Sequence, residues 1–203
     1  MVGRYCDITI LLDRTGSMQN IKDEITKGFS KWVEQQQKLN IDKCTLTLIQ
    51  FDNHNPFEVI YENKPINDIP YLTLEPRGMT PLLDALGNTI QWTGSRLGAM
   101  AQEERPDKVL IIILTDGEEN ASSTYTKATI RKMITHQQDK YNWQFLFLGM
   151  GFDAFAEARQ LGIPAGAVSS STADTQGVQA SYNIASKAVK EYVTNGTITL
   201  NNK

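Results

Sequence analysis

The chain is poor in the side chains that build metal clusters and disulfide frameworks: its 203 residues include only two cysteines and two histidines. Cys6 and Cys44 match neither zinc-ligand spacing nor a disulfide framework, so they read as buried free thiols. If the first two strands are adjacent and parallel, both cysteines fall near strand starts, and a bridge is conceivable in an oxidising compartment. His54 sits in a turn-like stretch and His136 on a helix surface, and no serine, histidine and acid set accompanies them. Positive charge is not in excess either. With 20 Lys and Arg against 23 Asp and Glu, the net charge of −3 offers no general attraction for phosphate backbones or anionic lipid, which argues against nucleic-acid and membrane partners. Nor is there a long apolar run: the first hydrophobic segment is interrupted by Asp7 and Thr9, unlike a signal peptide or membrane span. A soluble, cytoplasmic chain is the expectation. Repeats, linkers and low-complexity stretches are lacking too, so residues 1–203 read as one domain. Its core should cover about 5–193, and 195–203 form a C-terminal tail that is either loose or a small edge strand.

What is present is a strand and helix alternation with 40% hydrophobic residues, enough to fill a core. Val109 to Leu114 is an unbroken aliphatic run bounded by Asp107-Lys108 and Asp116-Gly117, the pattern of a central parallel strand buried on both faces. Tyr5 to Leu12, Cys44 to Phe51 and Trp143 to Leu148 look similar, and Phe57 to Tyr61 follows the turn signal Asn53-His54-Asn55-Pro56 as a hairpin partner of the second strand. Helical stripes run through Ile21, Ile25, Phe29, Trp32 and Val33, and through Leu82, Leu83, Leu86 and Ile90. Further helices are predicted at about Thr126 to Gln138, at Ala154 to Leu161, and through Val178, Tyr182, Ala185, Val189 and Tyr192. Ser169-Ser170-Ser171-Thr172 reads as a brief polar loop. Trp32, Trp92 and Trp143 have core or helix-face spacing. The alternation predicts a doubly wound α/β fold: a six-stranded, mostly parallel sheet with the strand after Pro56 antiparallel at one edge, and helices on both faces. Ligands in such sheets bind at the carboxyl ends of strands, near the point where strand order reverses.

Three loops at those ends carry oxygen-rich side chains. Asp13-Arg14-Thr15-Gly16-Ser17-Met18 follows the first strand and places a carboxylate and two hydroxyls at alternate positions. Gly78-Met79-Thr80-Pro81-Leu82 precedes a long helix, with Pro81 well placed to start it. Leu114-Thr115-Asp116-Gly117-Glu118-Glu119-Asn120 follows the central strand. A hard cation such as magnesium, which takes oxygen ligands octahedrally and keeps some of its waters, suits such a set, whereas calcium calls for more ligands. Without a cation Asp13 and Asp116 would repel one another, with Glu118 and Glu119 adding to the negative field. Each loop also has an ordinary reading: Ser17 can cap a helix, Thr80-Pro81 can begin one, and Asp116-Gly117 can make a turn.

In this order and on these elements, the three segments resemble the metal-ion-dependent adhesion site of von Willebrand factor A and integrin I-type domains. Asp13, Thr15 and Ser17 match the Asp-x-Ser-x-Ser motif with threonine for its first serine. Thr80 matches the lone metal-site threonine and Asp116 the second aspartate. The resemblance covers about Tyr5 to Val193 and implies a Rossmann-like fold. It further implies that these five residues hold magnesium, or manganese, directly or through water, with one position open for a Glu or Asp of a partner protein. It implies a binding module and no enzyme. Arg14, Arg77, Glu118 and Glu119 would form the partner-binding rim. The motif style is closest to short prokaryotic and phage members, relatives of which often work with ATPases or in stress-response assemblies. A scaffold that keeps the motif without using it is the bland alternative.

Two other readings compete. Gly149-Met150-Gly151-Phe152-Asp153-Ala154 fits the dinucleotide pattern Gly-x-Gly-x-x-Ala, but it follows a late strand, and Asp174 about twenty residues on lies in a polar loop. Tight-turn geometry explains the glycines better. A magnesium-dependent phosphohydrolase would use Asp13 as nucleophile, yet Thr15 stands where its usual second aspartate belongs, which removes the general acid.

Overall fold

A computed structural model describes residues 5–39 and 41–200. Six strands form one sheet: β1 (Tyr5–Asp13), β2 (Lys43–Phe51), β3 (Glu58–Pro65), β4 (Lys108–Thr115), β5 (Gln144–Met150) and β6 (Val168–Ser171), in the order β3-β2-β1-β4-β5-β6. β3 is antiparallel to β2, and every other pairing is parallel. Five helices cover it: α1 (Lys22–Gln37), α2 (Leu82–Ala99), α3 (Lys127–Tyr141), α4 (Ala154–Leu161) and α5 (Thr175–Asn195). The chain winds outward from β1 to β3, then returns to β4 on the other side of β1. Right-handed crossovers running in opposite directions place α1 and the α2–α3 pair on opposite faces. α5 comes back to pack against α1, where Gly28 leaves room for the Tyr182 ring and the Tyr182 hydroxyl donates to the Ile25 carbonyl at 3.1 Å.

The aliphatic runs do what their composition dictates. Ile8, Leu11, Leu46, Leu110, Ile111, Ile113 and Leu146 are fully enclosed between the helical layers. Burial of each such side chain contributes on the order of 1.5–3 kcal/mol, and β1 and β4 lie at the centre of the sheet thus held. These are the strands on either side of the reversal in strand order.

Three expectations change. The serine-rich stretch read as a loop is strand β6, pairing from Phe147↔Val168 to Met150↔Ser171. A parallel ladder uses backbone groups, which an edge strand can offer whatever its side chains. β3 runs on to Pro65 rather than stopping near Tyr61, through a bulge at which Asn63 takes a left-handed conformation (φ 46°). As far as residue 200, the segment after α5 is neither loose nor a strand: Ile198 and Leu200 are buried, and the Leu200 amide donates to the Gly166 carbonyl at 2.6 Å, while 201–203 lie outside the described residues. Cys6 and Cys44 are register partners on β1 and β2, both buried and free. Burial pushes the Cys44 thiol up to about 12, which keeps it protonated and inert.

Candidate metal centre

β1 ends on Asp13 and β4 on Thr115, two adjacent strands whose following loops diverge to opposite halves of the sheet. The Thr115 hydroxyl donates to Asp13 Oδ2 at 2.5 Å, and the Thr15 amide donates to Asp13 Oδ1 at 2.7 Å. The second bond folds the loop into an Asx-type turn, which leads into a short 3-10 turn at Gly16–Asn20. Thr15 and Ser17 thereby face the same side, their hydroxyl oxygens 3.2 Å apart. Thr80 Oγ1 lies 3.3 Å from Thr15 Oγ1, and the Ser17 hydroxyl donates to Asp116 Oδ1 at 2.6 Å. The five residues singled out from the sequence thus form one connected cluster.

The second loop is held from both sides. Asn53 exchanges two bonds with Met79, and Asn120 exchanges two with Thr80. Gly78 has φ 70° and lies so close to Asn53 that a side chain would overlap it, while its carbonyl accepts from the Gly16 amide at 3.1 Å. At Gly117, a Cβ would stand 3.0 Å from Thr80 Oγ1, so glycine there lets the third loop close over the threonine.

The cluster has a depth gradient. Asp13, Thr15 and Thr80 are buried, Asp116 is half-buried and Ser17 is exposed, which gives a floor and an open lip. Burial pushes the Asp13 carboxyl up to about 6 against the opposing bonds from Thr115 and Thr15, with the Asp116 charge adding to the rise. Burial likewise raises Asp116. Among the described residues neither carboxylate has an ion-pair partner. No three His, Cys, Asp or Glu side chains gather as metal ligands among them either. Any cation here would therefore rest on hydroxyls, two carboxylates and water, an all-oxygen set that suits magnesium or manganese. Neighbouring ligands of an octahedral ion with bonds of about 2.1 Å lie about 3 Å apart. The hydroxyl spacings of 3.2 and 3.3 Å fit that requirement with little movement.

Of the four rim positions, two need correction. Arg14 does not face the cluster: it is buried, pairs with Asp52 at 2.5 Å and with Glu58, and reaches Gln50 at 3.4 Å. As the residue after a strand-end aspartate it points to the other side of the loop, where two acids neutralise it. Glu119 is likewise no free rim charge. Its carboxylate accepts from the amides of Leu83, Ala121 and Ser122 and from the Ser122 hydroxyl, tying the third loop to the first turn of α2. Glu118 is exposed, and Arg77 is 51% exposed with its Nε 2.9 Å from Asp52. Sequence reasoning overlooked Asp52, Asp84, Asn53 and Asn120. Asp52 had a legible signal, since it directly follows β2 at the sheet edge where Asp13 ends β1. Asp84 lies in the first turn of α2 and gathers the amides of Ser123, Thr124 and Tyr125, which nothing in its own neighbourhood announces.

The glycines at the end of β5, Gly149 within it and Gly151 just after it, are explained by packing. A Cβ at Gly149 would lie 2.5 Å from that of Ala154 and 2.9 Å from the Phe152 ring, and Gly151 has φ 79°. Asp153 caps α4 and Asp174 caps α5, so neither acid is held in reserve for a ribose.

No family model matches this sequence, and no curated protein matches it. Solved structures do. Proximal thread matrix protein 1 from the mussel byssus, in a structure with a zinc-occupied MIDAS motif, matches with a TM-score of 0.59 and 16% identity, over 91% of this chain and 46% of that one. A von Willebrand factor type A protein from Catenulispora acidiphila matches with a TM-score of 0.59 and 14% identity, over 92% of this chain and 42% of that one. The SpRpn10 VWA domain matches with a TM-score of 0.53 and 13% identity, over 90% of this chain and 95% of that one. The chain thus spans less than half of the first two and nearly all of the third. At these identities the likeness defines the fold, which is that of von Willebrand factor A domains.

Proposed function

We propose that this chain is a magnesium-dependent protein-binding module, in which Asp13, Thr15, Ser17, Thr80 and Asp116 hold the ion and leave a position open for a Glu or Asp of a partner. The observation that carries the reading is the cluster itself: hydroxyls at octahedral spacing beside two desolvated carboxylates that no cationic side chain among the described residues offsets. When bound, the cation supplies the charge that makes a partner carboxylate contact strong. The chain's own residues supply the rest. Asp13, with both oxygens already accepting bonds, is suited to holding ion-bound water, while Thr15, Ser17 and Thr80 offer lone pairs directly. The open lip at Ser17 and Asp116 gives a partner access, and the exposed Met79 and Arg77 beside it would choose among carboxylate-bearing segments. No nucleophile and base pair accompanies the cluster among the described residues, which favours reversible binding without covalent chemistry. No helix among them is long and apolar enough to cross a membrane.

Titration with manganese, followed by water-proton relaxation, tests the reading. One saturable site is expected, displaced by magnesium, with relaxation enhancement that falls when an acidic peptide takes the open position. Absence of saturable binding by either ion refutes the assignment.

A further inference from the structure

Asp52 stands at the end of β2, fully buried and one strand away from Asp13. Its Oδ1 accepts from the amides of His54 and Asn55 at 2.6 and 2.9 Å, which fixes its own loop. Its Oδ2 accepts from Arg14 Nε at 2.5 Å and from Arg77 Nε at 2.9 Å. These two arginines belong to different metal-site loops: Arg14 directly follows Asp13, and Arg77 precedes Gly78-Met79-Thr80. The backbone repeats the link, since the Arg77 amide donates to the Arg14 carbonyl at 2.9 Å, the Gly16 amide to Gly78 at 3.1 Å, and the Arg14 amide to Phe51 at 3.1 Å. One buried carboxylate oxygen therefore sits at the junction of three loops, two of which carry metal-site hydroxyls 3.3 Å apart.

We infer that Asp52 is a positioning residue for the metal site, acting through Arg77 and Arg14 to hold the Asp13–Ser17 and Gly78–Thr80 loops at the separation an ion needs. The inference rests on the function proposed above. Two physical effects support it. Loops fixed before the ion arrives do not have to be ordered by it, so more of the coordination energy appears as affinity. The arginines are also neutralised: Arg14 and Arg77 against Asp52 and Glu58 sum to no net charge, and Arg14 is turned away from an ion it would otherwise repel.

Arg77→Gln is the decisive variant, because Arg77 is half-exposed and its loss leaves the buried Asp52–Arg14 pair intact. Manganese affinity and the unfolding midpoint in chelator would be measured for the native chain and for this variant. Simple electrostatics and positioning predict opposite signs. Removing a positive charge near a cation site should tighten binding, whereas removing a tether should weaken it, by about tenfold or more, as with other residues that orient metal ligands. Asp52→Asn, if it folds, should weaken binding at least as much, and Arg77→Gln should then add little in its background. Unchanged or tighter manganese binding in Arg77→Gln overturns the inference, whatever happens to the midpoint in chelator. A native chain that binds no manganese removes the proposed function and this inference with it; a native chain that binds, with an indifferent variant, removes the inference alone.

Discussion

Asp13→Asn should move the protein in opposite directions with and without metal. In chelator near pH 7.5, native Asp13 is an ionised carboxylate in a fully buried position, with Asp116 nearby and no ion-pair partner among the described residues. A carboxyl pushed from its ordinary 3.8 up to about 6 costs the folded state about 3 kcal/mol at that pH. Asparagine removes the charge while still accepting from the Thr15 amide and offering a donor to the Thr115 hydroxyl. Allowing for imperfect replacement of a 2.5 Å charge-assisted bond, a net gain of about 1–2 kcal/mol is expected. For a chain of this size each kcal/mol shifts the midpoint by about 2–4 °C, so the variant should melt a few degrees above the native protein in chelator. Magnesium at about one hundred times its dissociation constant adds about 2.7 kcal/mol, or about 5–10 °C, to the native chain. It should add nothing to the variant. The assay is differential scanning calorimetry of both proteins with magnesium, with manganese and with chelator. A variant that melts lower in chelator and keeps its magnesium response would refute both the burial argument and the ligand assignment.

Other substitutions separate ligands from scaffold. Glu119→Ala strips acceptors from the amides of Leu83, Ala121 and Ser122 and should cost about 1–3 kcal/mol equally with and without magnesium, measured by denaturant unfolding. Thr80→Ala should do the reverse, leaving the midpoint in chelator within about 2 °C of native while abolishing the magnesium increment, as calorimetry would show. Gly117→Ala should weaken manganese binding, since its Cβ would press on Thr80 Oγ1 from 3.0 Å, and a native-like titration would show the loop to be more compliant than its packing suggests. Burial alone would raise Asp84, but the amides of Ser123, Tyr125 and Thr124 and the Ser123 hydroxyl hold it below the ordinary carboxylate value. Its stabilising contribution is therefore present above the unfolded pKa, about 3.9, and lost as pH falls through the lowered folded value. Asp84→Asn should accordingly be less stable than native at neutral pH, and chemical denaturation at a series of pH values should show the gap narrowing below about pH 4.

The strands were legible where physics acts locally. Val109 to Leu114 could be read as a buried strand because an unbroken aliphatic run rich in β-branched residues has few other ways to leave water, and α1 and α2 because their apolar stripes repeat at helical spacing. Val168 to Ser171 could not, because an edge strand with serines on it is specified by the free ladder of β5 rather than by its own side chains. The site divides in the same way. Asp13, Thr15, Ser17, Thr80 and Asp116 stood out because their side-chain oxygens lie on loops at the strand ends, and alternation within one turn is visible in one dimension. The direction of Arg14 was not visible, since a residue beside a site in sequence can face either side of its loop. Glu119 was misplaced for a related reason: besides the neighbouring amides of Ala121 and Ser122, its carboxylate is taken by the α2 amide of Leu83, thirty-six residues away in sequence.

The sequence by itself determined the alternation of strands and helices, the doubly wound sheet and the oxygen-bearing loops, because hydrophobic period and residue chemistry are properties of short segments. Only the tertiary structure decided which charges reach the cluster and which are used up holding it. Asp52 joins Arg14 to Arg77, and Glu119 ties its loop to α2, across distances set by the order of strands in the sheet. Such pairings are chosen by which loops the fold brings together, and in a buried setting a charge takes whatever partner lies within reach.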